Sequence, residues 1–279
     1  MSRFRITLAY DGTDFVGWQR QAAGVSIQGL LEDALAELDE AAVTVLGAGR
    51  TDAGVHALGQ VAAFTLTRAI AADAVGRALN VRLPLSVRVL EAEEVPADFH
   101  PQFAVTSKTY RYRIWNSDVV SPFERLYAWH VFGALDVAAM NEAARMLEGT
   151  HDFAAFQGTG SDVKTTERTV FSSLVLPPSP RLRRTAEAQS AEAGRQAQDE
   201  RKENPLVVSL SNHEPVIRYE VCGGGFLRHM VRTIVGTLVE IGRGRRPPEW
   251  MREVVASRKR SDAGVTAPAA GLFLVRVDY

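Results

Sequence analysis

Apolar residues recur in this chain first with a period of two and then with a period near 3.6, and the order in which these patterns alternate is used twice. Phe4, Ile6, Leu8 and Tyr10 alternate with polar residues and run into Asp11-Gly12, the pattern of a strand ending in a turn. Ser26 is placed to cap a helix carrying Ile27, Leu30, Leu31, Ala34, Leu35 and Leu38 on one face. Val43 to Leu46 reads as a short strand, Gln60 to Leu66 as another, Ala71 to Asn80 as a helix and Val87 to Val95 as a strand. The order then recurs. Tyr110, Tyr112 and Ile114 alternate, and Asp136 can cap a helix bearing Val137, Met140, Ala144 and Leu147, closed by Gly149. Val170 to Leu176 and Leu206 to Val221 contain strands. Leu227, Met230, Val231, Ile234, Val235 and Leu238 mark one face of a helix expected to start near Phe226, and Leu272 to Val277 is a final strand. Two tandem βαββαβ halves, residues 1–105 and 106–279, predict an α+β fold of the split-βαβ, ferredoxin-like kind.

One stretch departs from this pattern. Residues 177–205 are rich in Pro, Arg, Glu, Gln and Ala and hold no aromatic side chain, too little apolar surface to offset the entropy of ordering. A flexible insertion between two strands is expected there; Arg181, Arg183 and Arg184 would suit a regulatory or phosphate-touching arm, but a solvated, dispensable insertion is the favoured reading.

Composition narrows the class. At 46% hydrophobic and 23% charged residues the chain can bury a large core. No apolar run approaches the roughly 20 residues of a membrane span. The N-terminus lacks the apolar core of a signal peptide. With Cys222 as the single cysteine, an intrachain disulfide is impossible, and a cytoplasmic setting is expected. The net charge of −1 decides nothing about nucleic acid, because phosphate binding depends on local basic surface. Arginine far outnumbers lysine, with Arg243, Arg245 and Arg246 clustered. That suits bidentate phosphate contacts, but codon bias would have the same effect.

Gly47-Ala48-Gly49-Arg50-Thr51-Asp52-Ala53-Gly54-Val55-His56 puts a guanidinium, a hydroxyl, a carboxylate and an imidazole on one glycine-rich loop. Asp52 can project into a cleft as a nucleophile, kept ionised by a nearby cation. It can equally cap a turn and pair with Arg50, and local chemistry alone favours that second reading. The Walker and dinucleotide-binding spacings are absent, and the six histidines are scattered without a ligand motif, so no metal site is expected. Lys108, Tyr110 and Tyr112 share one face of a strand, either as a base-stacking platform or as core. Arg228 and Arg232, four residues apart, would share a helix face able to grip phosphate. The segment from Tyr10 to Arg20 is a weak candidate for a loop facing nucleic acid.

Taken in order, YDGTDFVGWQRQ from Tyr10, GAGRTDAGVHALGQVAAF from Gly47, FHPQFAVTSKTYRYRI from Phe99, GTHDFAAFQ from Gly149, FLRHMVRTIVGTLVEIGRG from Phe226 and the closing APAAGLFLVRVDY resemble the tRNA pseudouridine synthase A family. The blocks span nearly the whole chain, and GRTDAGVHA is the most specific of them. The resemblance implies a pseudouridine-synthase fold with a central, mostly antiparallel sheet. It implies Asp52 as the catalytic aspartate and Tyr110 as the active-site tyrosine, set against the uracil. Arg50 would be the arginine that contacts RNA beside the nucleophile, and Arg232 an arginine near the carboxylate. No cofactor or metal is implied. The implied partners are tRNA, modified on the 3′ side of its anticodon stem-loop, and a second copy of the chain in a homodimer. Two positions depart from the family's habit, Gln102 where a basic residue is frequent and Ala63 where a histidine is frequent.

Overall fold

The computed structural model describes residues 1–160, 163–178 and 215–279. The first half contributes β1 (Ser2–Tyr10), α1 (Ile27–Asp39), β2 (Leu46–Gly47), β3 (His56–Leu66), α2 (Ala72–Arg82) and β4 (Val87–Val95). The second contributes β5 (Ser107–Asn116), β6 (Trp129–Val131), α3 (Val137–Arg145), β7 (Gly149–Asp152), β8 (Glu167–Leu176), β9 (Val216–Gly223), α4 (Met230–Gly242), α5 (Trp250–Ser257) and β10 (Leu272–Asp278). These strands join in a single sheet in the order β4-β1-β3-β10-β5-β9-β8-β7, with β2 added to β3 and β6 to β5. All pairings are antiparallel except β10 with β3 and β6 with β5. The mixed α+β architecture and the mostly antiparallel sheet agree with the sequence expectation.

Local rules account for the elements. In β1 the alternating set Phe4, Ile6, Leu8 and Tyr10 is at most 4% exposed, and it clusters with Leu31 and Leu35 of α1 and Val75 and Leu79 of α2. Ser26 caps α1 by accepting from the Gly29 amide at 3.1 Å, and Asp136 caps α3 by accepting from Ala139 at 3.0 Å.

Three expectations need correction. Val43 to Leu46 is not a strand over its length, and only Leu46–Gly47 pairs. The Val45 amide donates to Glu32 and its carbonyl accepts from Gln28, so side chains of α1 satisfy the backbone that a strand partner would have taken. The helix expected from Phe226 begins at Met230, because His229 sits in the left-handed region at φ 61° and ψ 0°. Arg228 therefore lies before the helix and does not share a face with Arg232. Short β6 and β7, and helix α5, were not foreseen. Residues 179–205 of the expected insertion, and the expected strand from Leu206 as far as residue 214, lie outside the described residues.

The consequence for function is where the two strand sets meet. β3 pairs with β2 near its C-terminal end and with β10 only at its start, through Phe273 with His56 and Leu274 with Ala57. The loop between β2 and β3 emerges at that join, beside β5 and the start of α4.

Candidate active site

The loop from Ala48 to Val55 is held from several sides. The Ala48 amide donates to Val61 at 2.8 Å, and the Gly49 carbonyl accepts from the Gln60 amide side chain at 3.0 Å. Thr51 pairs with the Tyr10 hydroxyl at 2.8 Å, and the Trp18 amide donates to the Thr51 carbonyl at 3.0 Å. Gln60 and Tyr10 are buried, and burial raises the Tyr10 hydroxyl to about 12, so it stays protonated as a structural partner. Lys108 donates to the Ala48 carbonyl at 2.8 Å, with its ammonium pushed below the ordinary lysine range by burial.

The segment from Tyr10 to Trp18 is the backing of this loop. Gly17 has φ +106°, and a Cβ there would lie 2.7 Å from the Thr51 carbonyl. A Cβ on Gly12 would lie 2.0 Å from the Val55 carbonyl. Tyr10, Phe15 and Trp18 are buried, so these aromatics pack in the core and do not present a face to nucleic acid.

So mounted, Asp52 projects a carboxylate that is 32% exposed. It accepts no backbone N–H among the described residues, and Arg50 is not its cation. One oxygen, Oδ2, faces Nη1 of Arg232 at 3.4 Å and Nε2 of His229 at 3.5 Å. Arg232 comes from 180 residues away in sequence. It is fixed by Nε donating to the Ala267 carbonyl at 2.7 Å, while the Ala267 amide donates back to the Arg232 carbonyl at 3.1 Å. Arg50 is exposed at the loop's edge and has no hydrogen bond or ion pair among the described residues.

Tyr110, on β5, is 9% exposed and stands edge-on to Phe226 with ring centroids 5.1 Å apart. Burial first, then the neighbouring Tyr10 and Asp52, push its hydroxyl well above the ordinary tyrosine range. The chain has six tyrosines. Five of their hydroxyls have protein partners: Tyr10 with Thr51, Tyr112 with Pro268, Tyr127 with Asp11, Tyr219 with Ser173 and Tyr279 with Pro101. Tyr110 alone has none among the described residues. The face shared by Lys108, Tyr110 and Tyr112 thus divides into a loop support, a hydroxyl without a protein partner among the described residues and a core residue.

His229 escaped the sequence reading, and His56 entered it only as the imidazole of the glycine-rich loop, with no role assigned. His229 touches the carboxylate itself. His56 is 1% exposed and takes the Gly12 amide on Nδ1 at 3.0 Å, while Nε2 faces the carbonyls of Leu126 and Ala270 at 3.1 and 3.2 Å. The only signal for either was its place inside a motif block, since a lone histidine has no periodicity to betray its partners. Among the described residues no three His, Cys, Asp or Glu side chains gather as a metal site.

The assembled site offers a carboxylate about one-third exposed with two nitrogen partners facing Oδ2, an unpartnered hydroxyl near it, an aromatic wall and an exposed arginine. The profile described as tRNA pseudouridine synthase matches residues 6–104 and 143–279. Proteins named tRNA pseudouridine synthase A are similar over the full chain. That of Syntrophotalea carbinolica is 40% identical, covering 100% of this chain and 97% of the relative. That of Myxococcus xanthus is 43% identical, covering 100% and 92%. That of Moorella thermoacetica is 43% identical, covering 100% of both. The chain belongs to the tRNA pseudouridine synthase family.

Proposed function

We propose that the chain converts uridine to pseudouridine on the 3′ side of the tRNA anticodon stem-loop, with Asp52 as the nucleophile. Its family makes it an isomerase. The carrying observation is Asp52 itself, a carboxylate gripped through one oxygen by an arginine remote in sequence, with the Tyr110 hydroxyl unpartnered nearby.

The reaction sets the requirements. The N1–C1′ bond of uridine breaks, the uracil turns, a C5–C1′ bond forms, the C5 proton leaves and N1 gains one. Composition is unchanged, so the protein need only hold and turn the base and move a proton. The base must first leave the helical stack. Arg50, exposed beside the nucleophile, is assigned to RNA contact during that extrusion. Arg232 orients the carboxylate, and Tyr110 provides a wall for the uracil with a hydroxyl toward it. Attack by Asp52 on the ribose or on the pyrimidine ring is equally compatible with this layout. Assembly as a homodimer with both subunits lining the tRNA cleft, in the cytoplasm, belongs to the same reading, as does independence of any cofactor.

The test is release of tritium to water from anticodon-arm RNA labelled at uridine C5. Release is expected from the chain as it stands, and Asp52→Asn should abolish it. Release persisting in that variant would remove Asp52 from the chemistry.

A further inference from the structure

We infer that His229 is a second positioning residue for the nucleophile, a neutral imidazole that donates from Nε2 to Asp52 Oδ2 and leaves Oδ1 as the attacking oxygen. This rests on the reading of Asp52 as nucleophile.

The geometry is built for it. His229 immediately precedes α4 in a left-handed conformation at φ 61°, which a side chain with a Cβ adopts at a cost of order 1 kcal/mol and keeps only where its surroundings enforce it. The enforcement is visible. Gly158 lies flat against the ring, and a Cβ there would meet Nδ1 at 2.5 Å and Cγ at 2.9 Å. The Gly158 amide donates to the Arg228 carbonyl at 2.8 Å, and Nη1 of Arg228 donates to the carbonyls of Thr159 and Gly160. The ring is thereby clamped between that loop and the carboxylate, with Nε2 3.5 Å from Oδ2. That distance is long for a hydrogen bond, and so is the 3.4 Å from Arg232 to the same atom. Such contacts tighten when substrate closes the site.

Charge explains why an imidazole suits the position. A second full cation on Oδ2 would stabilise the carboxylate further and blunt it as a nucleophile. A neutral N–H fixes its direction without that penalty. Every charged group facing His229 bears on its protonation. Burial is the largest influence and lowers its pKa. Asp52 opposes that, and Arg232, Arg228 and Arg260 reinforce it, so the ring stays neutral down to below the ordinary histidine value of 6.5. Below that point the imidazolium pairs with Asp52 as a second cation, and the rate falls.

The experiment measures single-turnover rate, tRNA affinity and thermal midpoint across pH. His229→Asn tolerates the left-handed backbone but is too short to reach Oδ2. It should slow turnover by about 100-fold, the lower end of what losing one oriented donor costs, with tRNA affinity and thermal midpoint nearly unchanged. His229→Gln carries an N–H at similar reach and cannot titrate. It should recover about tenfold of the lost rate and lack the acid limb that the unsubstituted chain shows below about pH 6.5. Gly158→Ala should displace the ring and copy the rate loss without removing it. A His229→Asn variant at full rate, a loss confined to tRNA affinity, or an acid limb retained in His229→Gln would each overturn the inference. Asp52→Asn run in parallel separates the two levels. If it stays active, the nucleophile reading itself has failed; if it is dead while His229→Asn is unimpaired, only the role of His229 has.

Discussion

Tyr110 illustrates how much can turn on one hydroxyl. A buried polar group normally finds a partner, and five of the chain's six tyrosines obey that rule. The exception lies close enough to Asp52 to feel its charge. Because burial holds its proton on far above neutral pH, the hydroxyl meets substrate as a donor, and a phenolate base is disfavoured. Removing it takes no hydrogen bond from the folded chain. Tyr110→Phe should therefore leave the thermal midpoint unchanged or slightly higher, while single-turnover release of C5 tritium drops at least about tenfold. A fall in midpoint of several degrees with turnover intact would make Tyr110 a core residue. From the residues alone, Tyr110 and Tyr112 were indistinguishable, both alternating on one strand face. Only the partner of each hydroxyl separates them, and Pro268, which takes Tyr112, lies 156 residues away. Asp52 was legible as a candidate and the family resemblance set Arg232 near it, but local chemistry gave neither Arg232 nor His229. Local reasoning paired it with Arg50, two residues off, whereas Arg232 and His229 arrive through the fold.

At the scale of elements, periodicity located β1, α1 and α3 closely, because each buries one face and carries its own cap or turn signal, and it located β4 from the β-branched start of a strand buried only at Val87 and Val89. It failed where non-local contacts decide the backbone. Val43 to Leu46 has strand composition, but α1 consumes its hydrogen bonds. Apolar spacing at Leu227 looked helical, yet His229 turns left-handed to reach the carboxylate. Helix α4 carries a further constraint that its composition hides. Gly236 sits in its middle, where alanine would ordinarily gain about 1 kcal/mol of helix propensity. Here a Cβ would lie 1.7 Å from the Val265 carbonyl, and a Cβ on the facing Gly264 would lie 2.6 Å from the Gly236 backbone. Backbone cannot yield as a side chain does, so overpacking of about 1–3 kcal/mol or more outweighs the propensity gain. Gly236→Ala should lower the thermal midpoint by several degrees and also slow turnover, since residues 264–267 carry the carbonyl that fixes Arg232. A more stable variant would mean that this strand of backbone is free to move.

Over the whole molecule, the paired α/β pattern predicted the sheet but not how its two strand sets join. That join is a parallel ladder of two residue pairs, and His56 is its clamp. The ring stacks on Phe273 of β10 at 4.7 Å, lies 5.3 Å from Tyr127, and binds Gly12, Leu126 and Ala270, so one side chain ties together four separate stretches of chain. With Nε2 facing two carbonyls and Nδ1 accepting from the Gly12 amide, the ring works as a neutral donor and acceptor at once. Burial is the main reason its pKa is lowered, against a smaller raising influence from Asp11, whose carboxylate lies 3.1 Å from Nδ1. The sign follows from linkage. Below the unfolded value of about 6.5 the unfolded chain takes up a proton that the folded chain resists, so folding stability is full above that pH and declines as the pH falls toward the depressed folded value. His229, shifted the same way, adds to the decline. The thermal midpoint should accordingly drop between pH 7 and pH 5, before the carboxylates titrate. His56→Gln should lower the midpoint at pH 7, where the clamp is intact, and narrow the difference between the two pH values. A midpoint flat over that range would mean that the join holds a protonated imidazole without cost, and that Asp11, rather than the backbone of the two halves, sets the charge of the ring.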